Sequence, residues 1–192
     1  MTAGSDEPDV RERMIASAEA LFGERGFAAT GLRDVVAHSS TPRGSIYHHL
    51  PGGKAELAQA VLERAGDAAS AAFAPQGGDP VALLHAFLDD WRQALERSDY
   101  RAGSAILAIA LEPDEQTGAR AAAAAAFARW ADAFAATLQA DGVRRKKAAR
   151  LATLAVAAIE GAVVMARVRG DTQPLDAVGR ELATAIGAAR RE

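Results

Sequence analysis

Between Thr41 and Lys54 the chain carries a run of side chains suited to gripping a polyanion: Arg43, Gly44, Ser45, Tyr47, His48 and, past Pro51-Gly52-Gly53, Lys54. An arginine fork fits a guanine edge or a phosphate, a serine hydroxyl can donate to either, and tyrosine, histidine and lysine suit phosphate oxygens. Gly44 would let the backbone come close to such a partner. Thr30 and Arg33 extend the set, because amides at a helix N-terminus also point toward anions. This is recognition chemistry rather than bond-making chemistry. The sequence offers no nucleophile–base pair, metal-ligand cluster or glycine-rich phosphate loop, and His85 stands without an evident partner. His48 and His49 diverge by about 100° on a helix and make no metal pair, so neither a metal nor a cofactor is expected.

These residues need an element to carry them. Thr41 is placed to cap a helix and Pro42 to occupy its first turn, where a missing N–H is harmless, and Pro51 stops it. On that helix Ile46 and Leu50 are four apart and face inward with Val35 and Val36, which leaves Arg43, Gly44, Ser45, Tyr47 and His48 outward; His49 is expected to pack. Upstream, Asp9 with Glu12 reads as a capping box for a first helix whose Val10, Met14, Ala18, Leu21 and Phe22 form one apolar stripe up to Gly26. Thr30 is expected to cap a second helix carrying Leu32, Val35 and Val36. A supporting helix, two short helices and a tight turn make a helix-turn-helix whose reading helix would enter a major groove of double-stranded DNA.

The overall charge of −3 argues against binding nucleic acid by bulk electrostatics, but it is unevenly spread. From Arg25 to Lys54 the basic residues Arg25, Arg33, Arg43 and Lys54 face one acid, Asp34. That small excess suits a module that meets a few phosphates and gains affinity by being present twice. The absence of cysteine excludes disulfides, thiolate zinc sites and thiol redox sensing. The polar, acidic N-terminus is no signal peptide, and the run Leu151 to Ala166, broken by Glu160, is short for a bilayer span; a cytoplasmic protein without membrane association is expected.

The rest of the chain reads as helices. One starts near Lys54 and runs to about Ala72, Pro75-Gln76-Gly77-Gly78 breaks the chain, and Asp79-Pro80 restarts it. From Val81 the positions Leu84, Phe87, Leu88, Trp91 and Leu95 keep a helical period, Ser98 to Gly103 turns the chain, a short helix covers Ser104 to Leu111, Pro113 interrupts, and long helices cover about Glu115 to Ala140 and Arg144 to Arg169 before a last one after Pro174. About ten helices and no strand are expected, an all-α fold with an N-terminal domain over 1–53 and a larger helical domain over 54–192. The alanines 121–126 suit close helix packing. Phe87, Trp91, Ile106, Leu111, Phe127, Trp130 and Met165 are large groups in an alanine-rich domain that either line a ligand cavity or fill the core. Glu160, a lone carboxylate in an apolar helix, requires a partner: an arginine, the preferred reading, or a ligand in the cavity.

Thr30 with Leu32-Arg33-Asp34-Val35, then Arg43-Gly44-Ser45-Ile46-Tyr47-His48-His49-Leu50 and Lys54-Ala55-Glu56-Leu57, resemble the N-terminal domain of TetR-type transcriptional regulators over about Asp9 to Val61. Pro51-Gly52-Gly53-Lys54, Ile159-Glu160-Gly161-Ala162 and Pro174-Leu175 resemble the LmrA/YxaF-like branch. The resemblance implies an all-helical homodimer, usually a repressor, that releases a DNA operator when a small-molecule effector enters the C-terminal domain. It also implies a dimer interface on the two helices before the last, and the apolar all-round character of Leu151 to Val168 agrees. Two reading heads would then lie about 34 to 36 Å apart on a palindromic site. The effector is expected to be apolar or aromatic, held by Phe87, Trp91, Ile106, Phe127, Glu160 and Met165. A constitutive DNA-binding protein and an all-helical enzyme or carrier are the alternatives. Two positions depart from the family pattern. Ser40 stands where glycine is usual in the turn, which implies strain if its φ is positive, and Leu50 replaces the usual aromatic.

Overall fold

The computed structural model describes residues 10–42, 44–73, 78–112 and 118–191. The expected Asp9 cap, Arg43, the breaker at Pro75-Gln76-Gly77, the interruption at Pro113 and the start of a helix near Glu115 lie outside them. Among the described residues the fold is all-α, with nine helices and no strand.

The first helix, α1 (Val10–Arg25), buries Met14, Ile15, Ala18, Leu21 and Phe22 and ends at Gly26, whose φ of 88° suits only glycine without strain. α2 (Leu32–His38) starts one residue later than its expected cap. Gly31 holds the N-cap position and its N–H donates to Asp34 Oδ2 at 2.8 Å. Thr30 is instead turned fully inward, its hydroxyl donating to Gly26 O at 2.9 Å and Leu21 O at 3.3 Å, so it ties the α1–α2 link together.

Between α2 and α3 (Ser45–His49) the tight turn is built by hydroxyls. Ser39 Oγ donates to Val36 O at 3.2 Å and lies 2.8 Å from Thr41 Oγ1, and Ser40 has the positive φ, 53°, that glycine would adopt freely. With its hydroxyl engaged in the turn, Thr41 caps nothing. The reading helix therefore opens at Ser45 with Gly44 as N-cap, not at Pro42. That placement removes the roughly 1 kcal/mol penalty that Gly44 would carry inside a helix.

α4 (Gly53–Ala72) follows at once, its N-terminus closed by Glu56 accepting from the Gly52 N–H at 2.8 Å. α5 (Pro80–Arg97) starts as expected, with Asp79 accepting from the Val81 and Ala82 amides. α6 (Ala105–Ala110), α7 (Ala119–Ala140), α8 (Arg145–Arg169) and α9 (Gln173–Ala189) complete the chain. At 25 residues α8 is long and apolar enough by length and composition to cross a membrane, longer than the apolar run alone suggested; here one of its faces is packed in the protein core.

Buried side chains form two clusters. The upper one joins Phe22, Val35, Ile46 and Leu50 of the head to Leu57, Val61 and Leu62 of α4, Ile106 and Ile109 of α6, and Ala123 and Ala126 of α7. The lower one contains Phe73, Leu84, Leu88, Trp130, Phe134 and the inner faces of α8 and α9. α4 runs through both. It can lie close to α7 because Gly66 faces Ala126: a Cβ on Gly66 would stand 3.0 Å from the alanine methyl. The alanine run thus does the packing work expected of it at Ala123 and Ala126, whereas Ala121, Ala124 and Ala125 are exposed.

Candidate nucleic-acid interface and a half-open apolar cavity

On the outer side of the head, Arg33 of α2 and Tyr47 of α3 line one open groove of about 690 Å³, with Ala37, Ser40 and Thr41 between them. Tyr47 is 69% exposed, so it is no part of the core. Ile46 and Leu50, on the opposite side of α3, are buried with Val35 and Val36 as the spacing required. His48 is exposed beside Tyr47, and the half-buried His49 ring packs edge-on against it at 5.0 Å. Gly44 is exposed at the start of α3 with φ −79°, and a Cβ there would meet nothing within 4 Å. The protein's own packing places no demand for glycine at this position; an approaching partner would.

Two of the expected contacts need correction. Thr30 has no accessible hydroxyl, because a link that crosses the core must satisfy its own carbonyls and Thr30 does so. Lys54 lies along the surface of the α1–α2 link and is engaged there: its ammonium lies 4.3 Å from the Phe27 ring centre and donates to Ala28 O at 3.3 Å. Burial lowers its pKa, opposed by Glu112 and Asp34. Arg33, Gly44, Tyr47 and His48 are presented together at the surface, and Ser45 opens the helix between them.

The second site is a cavity of about 310 Å³ bounded by α1, α4, α5, α6, α7 and α8. Alanines 65, 68, 69 and 72 of α4 leave the room, and Phe87, Trp91, Ile106 and Trp130 supply the apolar walls. Glu160 of α8 reaches it and is only 8% exposed. The expected arginine partner is absent. Glu160 Oε1 accepts from Ser104 Oγ at 3.0 Å, and Oε2 is buried without a hydrogen-bond partner. Burial pushes this carboxyl up to about 7, the Ser104 hydrogen bond opposing. Trp130 Nε1 is likewise buried and unpartnered.

Of the expected ligand contacts, Phe87, Trp91, Ile106 and Glu160 line this cavity; Phe127 and Met165 do not. Phe127 is half-buried at the junction of the two cores, and Met165 is exposed in an outer groove beside α9. Met165 lies on the flank of α8, about 100° round from Ala166, just outside the buried strip of Ala162, Val163 and Ala166. Leu111 is exposed as well.

The sequence family described as "Bacterial regulatory proteins, tetR family" matches residues 14–61, and "Transcriptional regulator LmrA/YxaF-like, C-terminal domain" matches residues 80–181, more than half of the chain. The chain belongs to the LmrA/YxaF-like branch of the TetR-family regulators. It is 44% identical over 178 residues to the uncharacterized HTH-type transcriptional regulator Rv0196 of Mycobacterium tuberculosis, covering 90% of this chain and 91% of that protein. Bacillus subtilis YxaF, an uncharacterized HTH-type regulator, is 28% identical over 91% of this chain and 93% of its own. A solved TetR transcriptional regulator from Chloroflexus aurantiacus superposes with a TM-score of 0.70 at 33% identity, covering 93% and 94% of the two chains. The family comprises DNA-binding transcriptional regulators rather than enzymes, which removes the catalytic alternative.

In this TetR-family regulator α6 joins the two sites. Ser104 caps its N-terminus, accepting from the Leu107 amide at 3.1 Å while donating to Glu160, and Ile106 lines the cavity two residues on. The preceding Gly103 presses on the end of α1: a Cβ on Gly103 would stand 2.6 Å from Gly23 O, and one on Gly23 would stand 2.1 Å from Gly103 O. Arg167 of α8 closes the same junction, donating to Gly23 O at 2.7 Å and Glu24 O at 2.5 Å. Just past the C-terminal end of α6, Glu112 accepts from the Ala28 N–H at 3.4 Å. None of these joints was foreseen from sequence. Ser104 before an apolar run is legible as a cap, but Gly23, Gly103 and Arg167 are brought together only by helix packing.

Proposed function

We propose that the regulator is a repressor that binds a palindromic operator as a homodimer and releases it when an apolar, aromatic-bodied effector fills the 310 Å³ cavity. The observation that carries this reading is the position of α6. It walls the cavity with Ile106 and Ser104, and its flanking residues touch the head at both ends, through Gly103 on Gly23 and Glu112 on Ala28. A ligand that moves α6 cannot leave the head where it was. The apolar lining of the cavity, with one buried and half-satisfied carboxylate, is the composition of a small-molecule site and supports this reading over constitutive binding.

The outer surface of α8 supports the dimer. Leu154, Ala157, Gly161, Val164 and Val168 are all exposed and recur at alternating intervals of three and four, with Leu154 53% and Val168 81% exposed. That is the spacing of a helix-bundle seam. On α9 the exposed Gln173, Ala177, Arg180 and Thr184 follow the same rhythm and add small and polar neighbours. We therefore assign the interface to α8 and α9, whereas the sequence pointed to α7 and α8. In each head Arg33, Arg43, Gly44, Ser45, Tyr47 and His48 are the residues assigned to DNA.

Fluorescence anisotropy on palindromes flanking the regulator's own gene, with and without a panel of aromatic effectors, tests the scheme. Wild type is expected to release DNA with an active compound, and Trp91→Ala to shift the concentration needed by tenfold or more, roughly the loss of 1.4 kcal/mol of binding. Unaltered release by Trp91→Ala would place the effector elsewhere.

A further inference from the structure

The effector cavity carries charge of one sign. Glu160, Glu19 and Asp90 line it, and no lysine, arginine or histidine does among the described residues. Glu19 is engaged by Arg64, whose Nε donates to it at 2.8 Å, and Asp90 is exposed at the edge. Glu160 is different: it is buried, and Oε2 has no protein partner. Around it stand the rings of Phe87, Trp91 and Trp130.

An anionic ligand would meet three carboxyl groups, of which Glu19 is paired with Arg64. A neutral ligand could hydrogen-bond the Glu160 carboxyl but leaves in place the electrostatic cost of ionising it. A cation removes that cost, and ring faces attract it further. Building on the effector reading above, we propose that the cavity selects organic cations, an aromatic or apolar body bearing a protonated amine that pairs with the Glu160 carboxylate.

The chain has two tryptophans, and both line this cavity, so their emission reports its occupancy. The full-length protein is titrated with three probes of one shape: para-biphenylmethylamine, para-biphenylmethanol and para-biphenylcarboxylate, exciting at the red edge of tryptophan absorption and confirming by calorimetry. The ammonium probe is expected to bind about tenfold more tightly than the alcohol, and the carboxylate most weakly. Glu160→Gln, which keeps shape and removes charge, should erase the ammonium preference, bringing the ammonium and alcohol probes within about twofold of each other. The comparison on wild type stands whether or not the variant folds. Equal or tighter binding of the alcohol or carboxylate overturns the cation assignment and leaves the effector cavity intact. Binding of none of the three overturns both.

Discussion

Glu160→Gln also makes a quantitative test of how the fold tolerates its buried carboxylate. Desolvation raises this group from the ordinary 4.5 to about 7 in the folded protein. Between those values the folded state holds a proton that the unfolded state has lost, so stability falls as pH rises. The favourable contribution is fully present below about pH 4.5 and gone above about pH 7. At about 1.4 kcal/mol per pH unit the interval amounts to about 3 kcal/mol, of which about 2.5 kcal/mol lies between about pH 5 and about pH 8. Glutamine keeps the Ser104 hydrogen bond within reach and cannot titrate. Urea unfolding of wild type and Glu160→Gln, at equal protein concentration across that range, should therefore diverge. Wild type loses about 2.5 kcal/mol relative to the variant, which is about 1 M in urea midpoint at a slope near 2 kcal/mol/M. Every other titrating group is common to both proteins and cancels in the difference. Parallel stability curves would refute the claim that Glu160 is desolvated by burial.

Tyr47→Ala alters an exposed position with no packing partner at risk, so its melting temperature should hardly move, and Gly44→Leu, which also weakens the α3 N-cap, should cost about 1 kcal/mol or less, while operator affinity, read by anisotropy, falls by about tenfold or more in both. Thr30→Val is the converse: it removes the hydroxyl that satisfies Gly26 O and Leu21 O, and about 1–2 kcal/mol of stability should be lost in urea titrations, with intrinsic operator affinity kept. Gly103→Ala forces a methyl to within 2.6 Å of Gly23 O, and a loss of about 1–3 kcal/mol is expected; an unchanged urea midpoint would show that the α1–α6 joint is slack. Val164→Arg, a charge on the exposed α8 seam, should give a monomer by sedimentation with unchanged helical circular dichroism and much weaker operator binding.

The sequence by itself determined what depends on local pattern. Helical periodicity placed Met14, Leu21 and Phe22 in one stripe, put Ile46 and Leu50 inward, and left Tyr47 and His48 outward, because a side chain four positions along must share its neighbour's face. Turn chemistry was legible too: Asp79-Pro80 starts α5, Gly26 and Gly170 end their helices with positive φ, and the positive φ of Ser40 follows from its place in the turn. The family motif was local and ordered, and the sequence matches extend it along most of the chain.

Tertiary structure decided where hydroxyls and charges go. Whether Thr30 caps α2 or seals the α1–α2 link depends on carbonyls of Leu21 and Gly26 that only the fold brings near, and whether Lys54 is free or engaged depends on the Phe27 ring 4.3 Å away. The direction of Glu160 was open between an arginine and a cavity, because periodicity assigns a face but not what stands opposite it. Ser104 stands there, 56 residues away in sequence, with a 310 Å³ space beside it. Residues such as Gly23, Gly103 and Arg167 carry no local signal at all. Their joint exists because three separate segments pack closely enough that no Cβ fits between two of them, and that proximity is a property of the assembled core.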